Sequence, residues 1–292
     1  MQKIPHIEVS EICGRLGEAS PKNIKQVYGG DIHKSWQIEF QNDKFFLKRN
    51  DRNKKLLKFE KSCLNNLQKF INHKNLVIPK VVAYCEINNV ELLLMEWIDM
   101  NNSDQKKLGK GLGEMHIQSN EFNPKSFGYP IQGYIGTTKQ ISGWEQNWID
   151  CFINLRIEPQ LEYLKVKFLD TDIKKKIKAK IQSELIKHKP FNSLIHGDLW
   201  SGNIGVNQMN QGVIFDPACW WADSEVDIAM TKLFGNFNIE FYTNYHKVIP
   251  IKEGFEKRII IYNFYHILNH ANMFGGAYLK QVKDYVKAIL NM

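Results

Sequence analysis

Apolar and polar positions change period along this chain, and the changes predict its elements. After the pair Gly29-Gly30, Trp36, Ile38 and Phe40 alternate with polar residues, which predicts a β-hairpin turning at the glycines. Phe45-Phe46-Leu47 predicts the next strand, closed by Lys48-Arg49. Leu56, Leu57, Phe59, Leu64 and Leu67 then recur at helical spacing, with Glu60 beside the stripe. Lys80–Tyr84 and the long apolar run Val90–Ile98 predict two strands joined around Asn88-Asn89. Ahead of all these, residues 1 to about 24 predict a short helical lead with Ile12 and Leu16 on one face, ended by Ser20-Pro21.

The rest of the chain reads as mainly helical. Leu108, Leu112, Met115 and His116 line a helix whose Gly109, Gly111 and Gly113 allow close packing. Residues 119–143 hold several Gly and Pro and predict a long loop, and Trp144–Leu164 a helix with Trp148, Phe152, Leu155 and Leu161 inward. Ile173, Ile177 and Ile181 fall four apart among lysines, the pattern of an amphipathic helix. A helix capped by Asp223 or Ser224 begins near Glu225, and Arg258–His270 is strongly apolar, a core helix. The expectation is an α+β, bilobal chain. Residues 1–98 form a small lobe with an antiparallel sheet and a helix, and residues 99–292 a larger, mainly helical lobe.

Composition changes this picture little. The 292 residues suffice for a large core, and 43% hydrophobic and 12% aromatic residues are ordinary for a folded protein. Five scattered cysteines without a C-x-x-C pair predict reduced thiols in a cytoplasmic protein, not a disulfide frame or a zinc site. Neither a secretory signal nor a membrane-length apolar run is expected. The net charge of +8 raises the question of nucleic acid, but much of the excess lies on the solvated face of the Ile173–Ile181 helix. There is no arginine-rich run and no nucleic-acid-binding motif, so an anionic small molecule such as ATP fits the charge better.

Candidate chemistry concentrates in Leu194–Asn203, containing His196-Gly197-Asp198-Leu199-Trp200-Ser201-Gly202-Asn203, and in Val213–Ala218. Asp198 is followed by Asn203 at the interval found in phosphoryl-transfer loops, and Asp216 closes a second apolar strand. In such loops the first Asp receives the nucleophile's proton, and the Asn and second Asp hold Mg²⁺. A polar hairpin between two buried strands is the plainer reading, but both strands deliver an acid at their ends. Lys48 at a strand end followed by Glu60 on a helix is the order of the ion pair that aims a lysine at ATP. Gly29 and Gly30 are candidate phosphate-covering residues, though taken alone their default reading is an ordinary hairpin turn. Backbone groups of Glu96, Trp97 and Ile98 are expected to meet the adenine edge, at the lobe boundary. Asp227, polar near the start of an apolar helix face, is expected to brace the catalytic loop, and His116 to be a packed core residue.

The Leu-Trp-Ser-Gly insert and Phe215-Asp216-Pro217-Ala218 give the loop a fuller form that resembles the fructosamine kinase (ketosamine-3-kinase) family, related to the aminoglycoside phosphotransferases. The similarity extends to Phe127-Gly128-Tyr129, Trp144–Trp148, Trp221–Ala229, Leu233–Phe237 and Leu268-Asn269-His270. It implies a protein-kinase-like fold and phosphorylation, with ATP and Mg²⁺, of the 3-hydroxyl of ketosamines. These are fructosamine or ribulosamine adducts on amines or glycated proteins, and the implied role is deglycation and protein repair. By the same resemblance Asp198 is the proton acceptor, Asn203 and Asp216 are metal ligands, and Lys48 with Glu60 is the phosphate-binding pair. Trp200 lies next to the sugar site, and Trp221 and Glu225 join it on the expected substrate side. Asp31 departs from the pattern of the glycine loop, and the absence of an A-P-E segment argues against a phosphorylated activation loop. A monomer or weak dimer is expected. Aminoglycoside or choline phosphorylation stays open, favoured by the acids Asp223, Glu225 and Asp227, and so does a catalytically silent pseudokinase.

Overall fold

The computed structural model describes all residues except 1–3, 29–32, 53, 101, 123–124 and 236. Five antiparallel strands form the first sheet, in the spatial order Asn23–Val27, Lys34–Glu39, Lys44–Asn50, Val90–Glu96, Val81–Ile87. The Val90–Glu96 strand is apolar from Leu92 to Met95 because both faces of the sheet are covered. Its Leu92 and Leu94 join Trp36, Ile38, Leu47 and the His6–Leu16 helix in one small core. Leu93 and Met95, pointing the other way, join the Leu56–Leu67 helix in the large core that fills the rest of the molecule. Asn88 and Asn89 both take positive φ (49° and 65°), the geometry of a two-residue hairpin turn.

One expectation about the first third needs adjustment. The helical lead stops at Leu16, and Asn23–Val27 is the sheet's edge strand. Leu76–Val77 pairs in parallel with Gly212–Ile214. The glycine pair Gly29-Gly30 and Asp31 lie outside the described residues.

In the second part, the Lys106–Glu121 helix packs its glycines as expected. A Cβ on Gly109 would stand 2.1 Å from the Phe241 carbonyl oxygen, in the neighbouring Ile239–Val248 helix. The loop predicted over 119–143 instead holds three short strands: Phe127–Tyr129, Gly133–Ile135 and Thr138–Gln140. Each is three residues long, too short to show an alternating period. The predicted Trp144–Leu164 helix is also shorter. Gly143–Glu145 is a strand paired with Phe127–Tyr129, and helix begins at Trp148, where the Asn147 side chain accepts from the Ile149 N–H. A π-helical turn, Ile153–Ile157, interrupts it. The Lys-rich helix runs Thr171–Leu185 with Ile177 and Ile181 inward, and the apolar tail helix runs Phe255–Phe274.

Candidate active site

Leu194 and Ile195 are fully buried in a strand that pairs antiparallel with Trp220–Asp223 and ends just before the buried His196. The turn needs Gly197, whose φ is 82°; a Cβ there would lie 2.2 Å from the Ala218 carbonyl oxygen. After a 3-10 turn at Ser201–Asn203, Ile204–Val206 pairs antiparallel with Gly212–Ile214. That hairpin returns the chain to the loop, and the Phe215 N–H donates to the Asn203 carbonyl at 3.1 Å. Asp198, Asn203 and Asp216 are thereby brought together by local pairing alone.

The Asn203 Nδ2 donates to the Asp198 carbonyl (2.9 Å) and reaches its carboxylate (3.4 Å). Spending the amide nitrogen there leaves the amide oxygen as the ligand end. Burial, with Asp216 nearby, raises the Asp198 carboxyl to about 7. Asp216 holds a left-handed φ of 59° just before Pro217, a strained backbone for a non-glycine residue. Lys48 Nζ bridges Glu60 (2.7 Å) and Asp216, with both Lys48 and Glu60 almost fully buried. Burial pulls Lys48 down, but Asp216 and Glu60 outweigh it and the lysine ends above its ordinary value. Burial pushes Glu60 up to about 7 even with Lys48 beside it. His33 comes close enough to this pair for Lys48, after burial, to lower its pKa to about 3. Its only signal in the sequence was its place just after the glycine loop.

Asp227, completely buried, carries the loop from below. Its Oδ2 accepts the His196 N–H at 2.7 Å and its Oδ1 the Gly197 N–H at 2.8 Å, while the His116 Nε2 stands 3.2 Å from Oδ2. Burial would raise the Asp227 carboxyl, but His116 and the backbone donor hold it below the usual range. His116 is a core residue, bonded on its other nitrogen to Tyr245. The His196 Nε2 meets the Phe215 carbonyl (2.9 Å) and its Nδ1 accepts the Asp198 N–H (3.3 Å), which fixes one neutral tautomer and ties both halves of the site.

At the lobe junction, the Trp97 N–H is committed to the Lys44 carbonyl and the Glu96 N–H to Lys80. The Trp97 indole donates to Asp99 and leans on Phe46. Trp200 lies over Gly202 and meets Phe234 edge-on, with His270 behind Phe234.

Trp221 and Glu225 are not brought to Asp198. Trp220 pairs with Ile195, beside the loop, so Trp220–Asp223 runs away from Asp198 at about 3.3 Å per residue. Trp221 projects to the opposite face from Trp220, stacking on Phe122 and meeting Phe70 edge-on. Glu225, beyond the strand's far end, takes a bidentate pair of bonds from Arg258. Asp223 is spent on His188, Tyr262 and the Phe191 N–H. With Asp227 under the loop, none of the three acids once counted toward a cationic acceptor faces it. Glu225→Gln should therefore lower thermal stability by about 1–3 kcal/mol through the Arg258 left half-paired. Its Michaelis constant for the acceptor should stay at the wild-type value; a rise in that constant would restore Glu225 to the acceptor side.

The profile of the fructosamine kinase family matches residues 8–292. The chain belongs to the fructosamine kinase family. Among relatives, a probable ketoamine kinase of Vibrio parahaemolyticus is 37% identical over 90% of this chain and 91% of its own length. The crystal structure of a candidate fructosamine-3-kinase from Haemophilus somnus 129PT superposes with a TM-score of 0.85 at 25% identity, covering 97% of this chain and 96% of that one. An aminoglycoside phosphotransferase, solved as a ternary complex with AMP-PNP and hygromycin B, aligns at a TM-score of 0.63 and 12% identity over 97% of both chains, a likeness of fold alone. As a fructosamine kinase family member the chain is an ATP-dependent phosphotransferase with a protein-kinase-like fold. Among the described residues, no helix is long and apolar enough to cross a membrane.

Proposed function

We propose that this enzyme transfers the γ-phosphoryl group of ATP to the 3-hydroxyl of ketosamines, with Mg²⁺, in a deglycating role. The observation that carries the chemistry is the convergence of two bonded pairs, Asn203 with Asp198 and Lys48 with Asp216, with Asp216 near enough to Asp198 to help raise its carboxyl. The acceptor rests on the ketoamine kinase relatives and on the Leu199–Gly202 insert.

The donor set fits Mg²⁺: a carboxylate from Asp216 and the amide oxygen of Asn203 are hard oxygen ligands at the mouth of the loop. Bound there, the ion offsets charge on the β- and γ-phosphates. Asp198 accepts the proton of the sugar hydroxyl and aligns its oxygen for attack. Lys48 steadies the α- and β-phosphates, and Glu60 holds Lys48 in place. Because the Trp97 N–H is occupied, the Glu96 carbonyl and the Ile98 N–H, on the opposite edge of the strand, are the groups for the adenine. Trp200 supplies an apolar wall to the acceptor.

The test is ATP consumption against ribulose-lysine, fructose-lysine, kanamycin and choline. Turnover with a ketosamine and background rates with the others are expected. Turnover confined to kanamycin or choline would overturn the acceptor, and none with any of them, despite a thermal shift by Mg-ATP, would favour the silent kinase.

A further inference from the structure

In the large core, the Leu56–Leu67 helix is joined to the second lobe by more than apolar packing. Its Leu57, Phe59, Cys63, Leu64 and Leu67 share one core with the strands and helices around the catalytic loop, whereas most of the first sheet builds a separate core with the His6–Leu16 helix. The polar bonds converge on Tyr129, in the Phe127-Gly128-Tyr129 strand that the phosphoryl-transfer chemistry leaves without a role. The Asn66 Nδ2 donates to the Tyr129 hydroxyl at 2.7 Å, and the Ser62 hydroxyl lies 3.5 Å away. Lys69 donates to the Asn66 Oδ1, which fixes the amide with its nitrogen toward Tyr129. From the other side the Cys219 thiol donates to the same hydroxyl at 3.4 Å, and the Cys219 N–H donates to the Cys63 sulfur at 3.3 Å. Phe59 meets the Tyr129 ring edge-on at 5.8 Å.

Asn66 and Ser62 belong to the helix that carries Glu60, and Cys219 to the segment that follows Asp216. Glu60 and Asp216 are the two carboxylates that Lys48 bridges. One buried hydroxyl thus holds the supports of both in register.

We propose that Tyr129 is a positioning residue for the nucleotide-binding lysine: its hydroxyl locks the Glu60 helix to the Asp216 segment, so that Lys48 is held in place without a phosphorylated activation loop. This rests on the reading of Lys48, Glu60 and Asp216 as the nucleotide and metal site.

Tyr129→Phe keeps the ring and removes the bond centre. It should raise the Michaelis constant for ATP and lower kcat, together by about tenfold in kcat/KM for ATP. The acceptor's Michaelis constant should hold. Asn66→Ala, which cuts the same tie from the helix side and leaves the tyrosine untouched, should move ATP use in the same direction. Ile289→Val, a buried change in the Ala277–Leu290 helix, serves as the stability control and should lower the melting temperature without altering ATP use. A Tyr129→Phe enzyme that loses stability like the control but keeps wild-type ATP kinetics reduces the hydroxyl to packing and overturns the proposal. In a Lys48→Met background Tyr129→Phe should add nothing further to the loss of ATP use, whereas a full additional tenfold loss would show that it acts elsewhere. If Lys48→Met alone leaves ATP use unchanged, the reading of the nucleotide site fails; if Lys48→Met is crippling and Tyr129→Phe is silent, only the positioning role fails.

Discussion

Asp198→Asn should reduce ketosamine-dependent ATP turnover by about 10²–10⁴-fold, the range expected for loss of a positioned proton acceptor. Asparagine matches aspartate in shape, and the loop is held through groups the substitution leaves alone. The Asp198 N–H donates to His196, and the Asp198 carbonyl accepts from Asn203. Asp227 continues to grip the His196 and Gly197 N–H groups. Only the weaker contact from Asn203 to the carboxylate, at 3.4 Å, is altered. The variant should therefore fold, and Mg-ATP should still raise its melting temperature, because Lys48 and Asp216 are untouched. What it lacks is a group able to take the hydroxyl proton. Turnover near the wild-type rate would remove Asp198 from the chemistry.

The residues that gave this site away in the sequence are those whose relations are local. Asp198 and Asn203 sit on one turn, and Asp216 follows a strand whose hairpin partner starts at Ile204, so spacing alone predicts their meeting. Lys48 and Glu60 were readable as a strand end and a helix edge, and the structure joins them through a bond at 2.7 Å. Asp227 stood out as a polar residue on an apolar face, and its two backbone bonds account for it. Trp221 and Glu225 follow closely in sequence, yet Trp221 projects to the opposite face from Trp220, and the antiparallel strand Trp220–Asp223 leads the chain away from Asp198 before Glu225 begins the next helix. Tyr129 stood in a segment that carries the family resemblance, but its role was not readable: its partners Asn66 and Cys219 lie far away along the chain, and only the fold sets all three around one oxygen. The short strands after Lys106–Glu121 were invisible for a related reason. Gly133–Ile135 is a strand because Thr138–Gln140 pairs with it and Phe59 packs on Gly133, not through any propensity of three residues.

Lys48→Met should lower kcat/KM for ATP by about 10²–10³-fold, as removal of one preorganised charge from a buried site does. The lysine is nearly inaccessible between Glu60 and Asp216, so methionine replaces its stem but neutralises none of the surrounding charge. The two carboxylates relax differently. Glu60 is already raised to about 7 by burial with the lysine present, and without it the group takes up a proton and becomes neutral. Asp216 is more open to solvent. The fold thus survives, while the cation that steadies the α- and β-phosphates is gone and its helix partner no longer presents a charge. The loss should appear in nucleotide use, with a smaller thermal shift by Mg-ATP than either wild type or Asp198→Asn shows. The pair of variants separates the two halves of the site: one binds ATP and does not turn it over, and the other fails at the nucleotide itself. An unchanged Michaelis constant for ATP together with an unchanged rate in Lys48→Met would dismiss the lysine from the phosphate site.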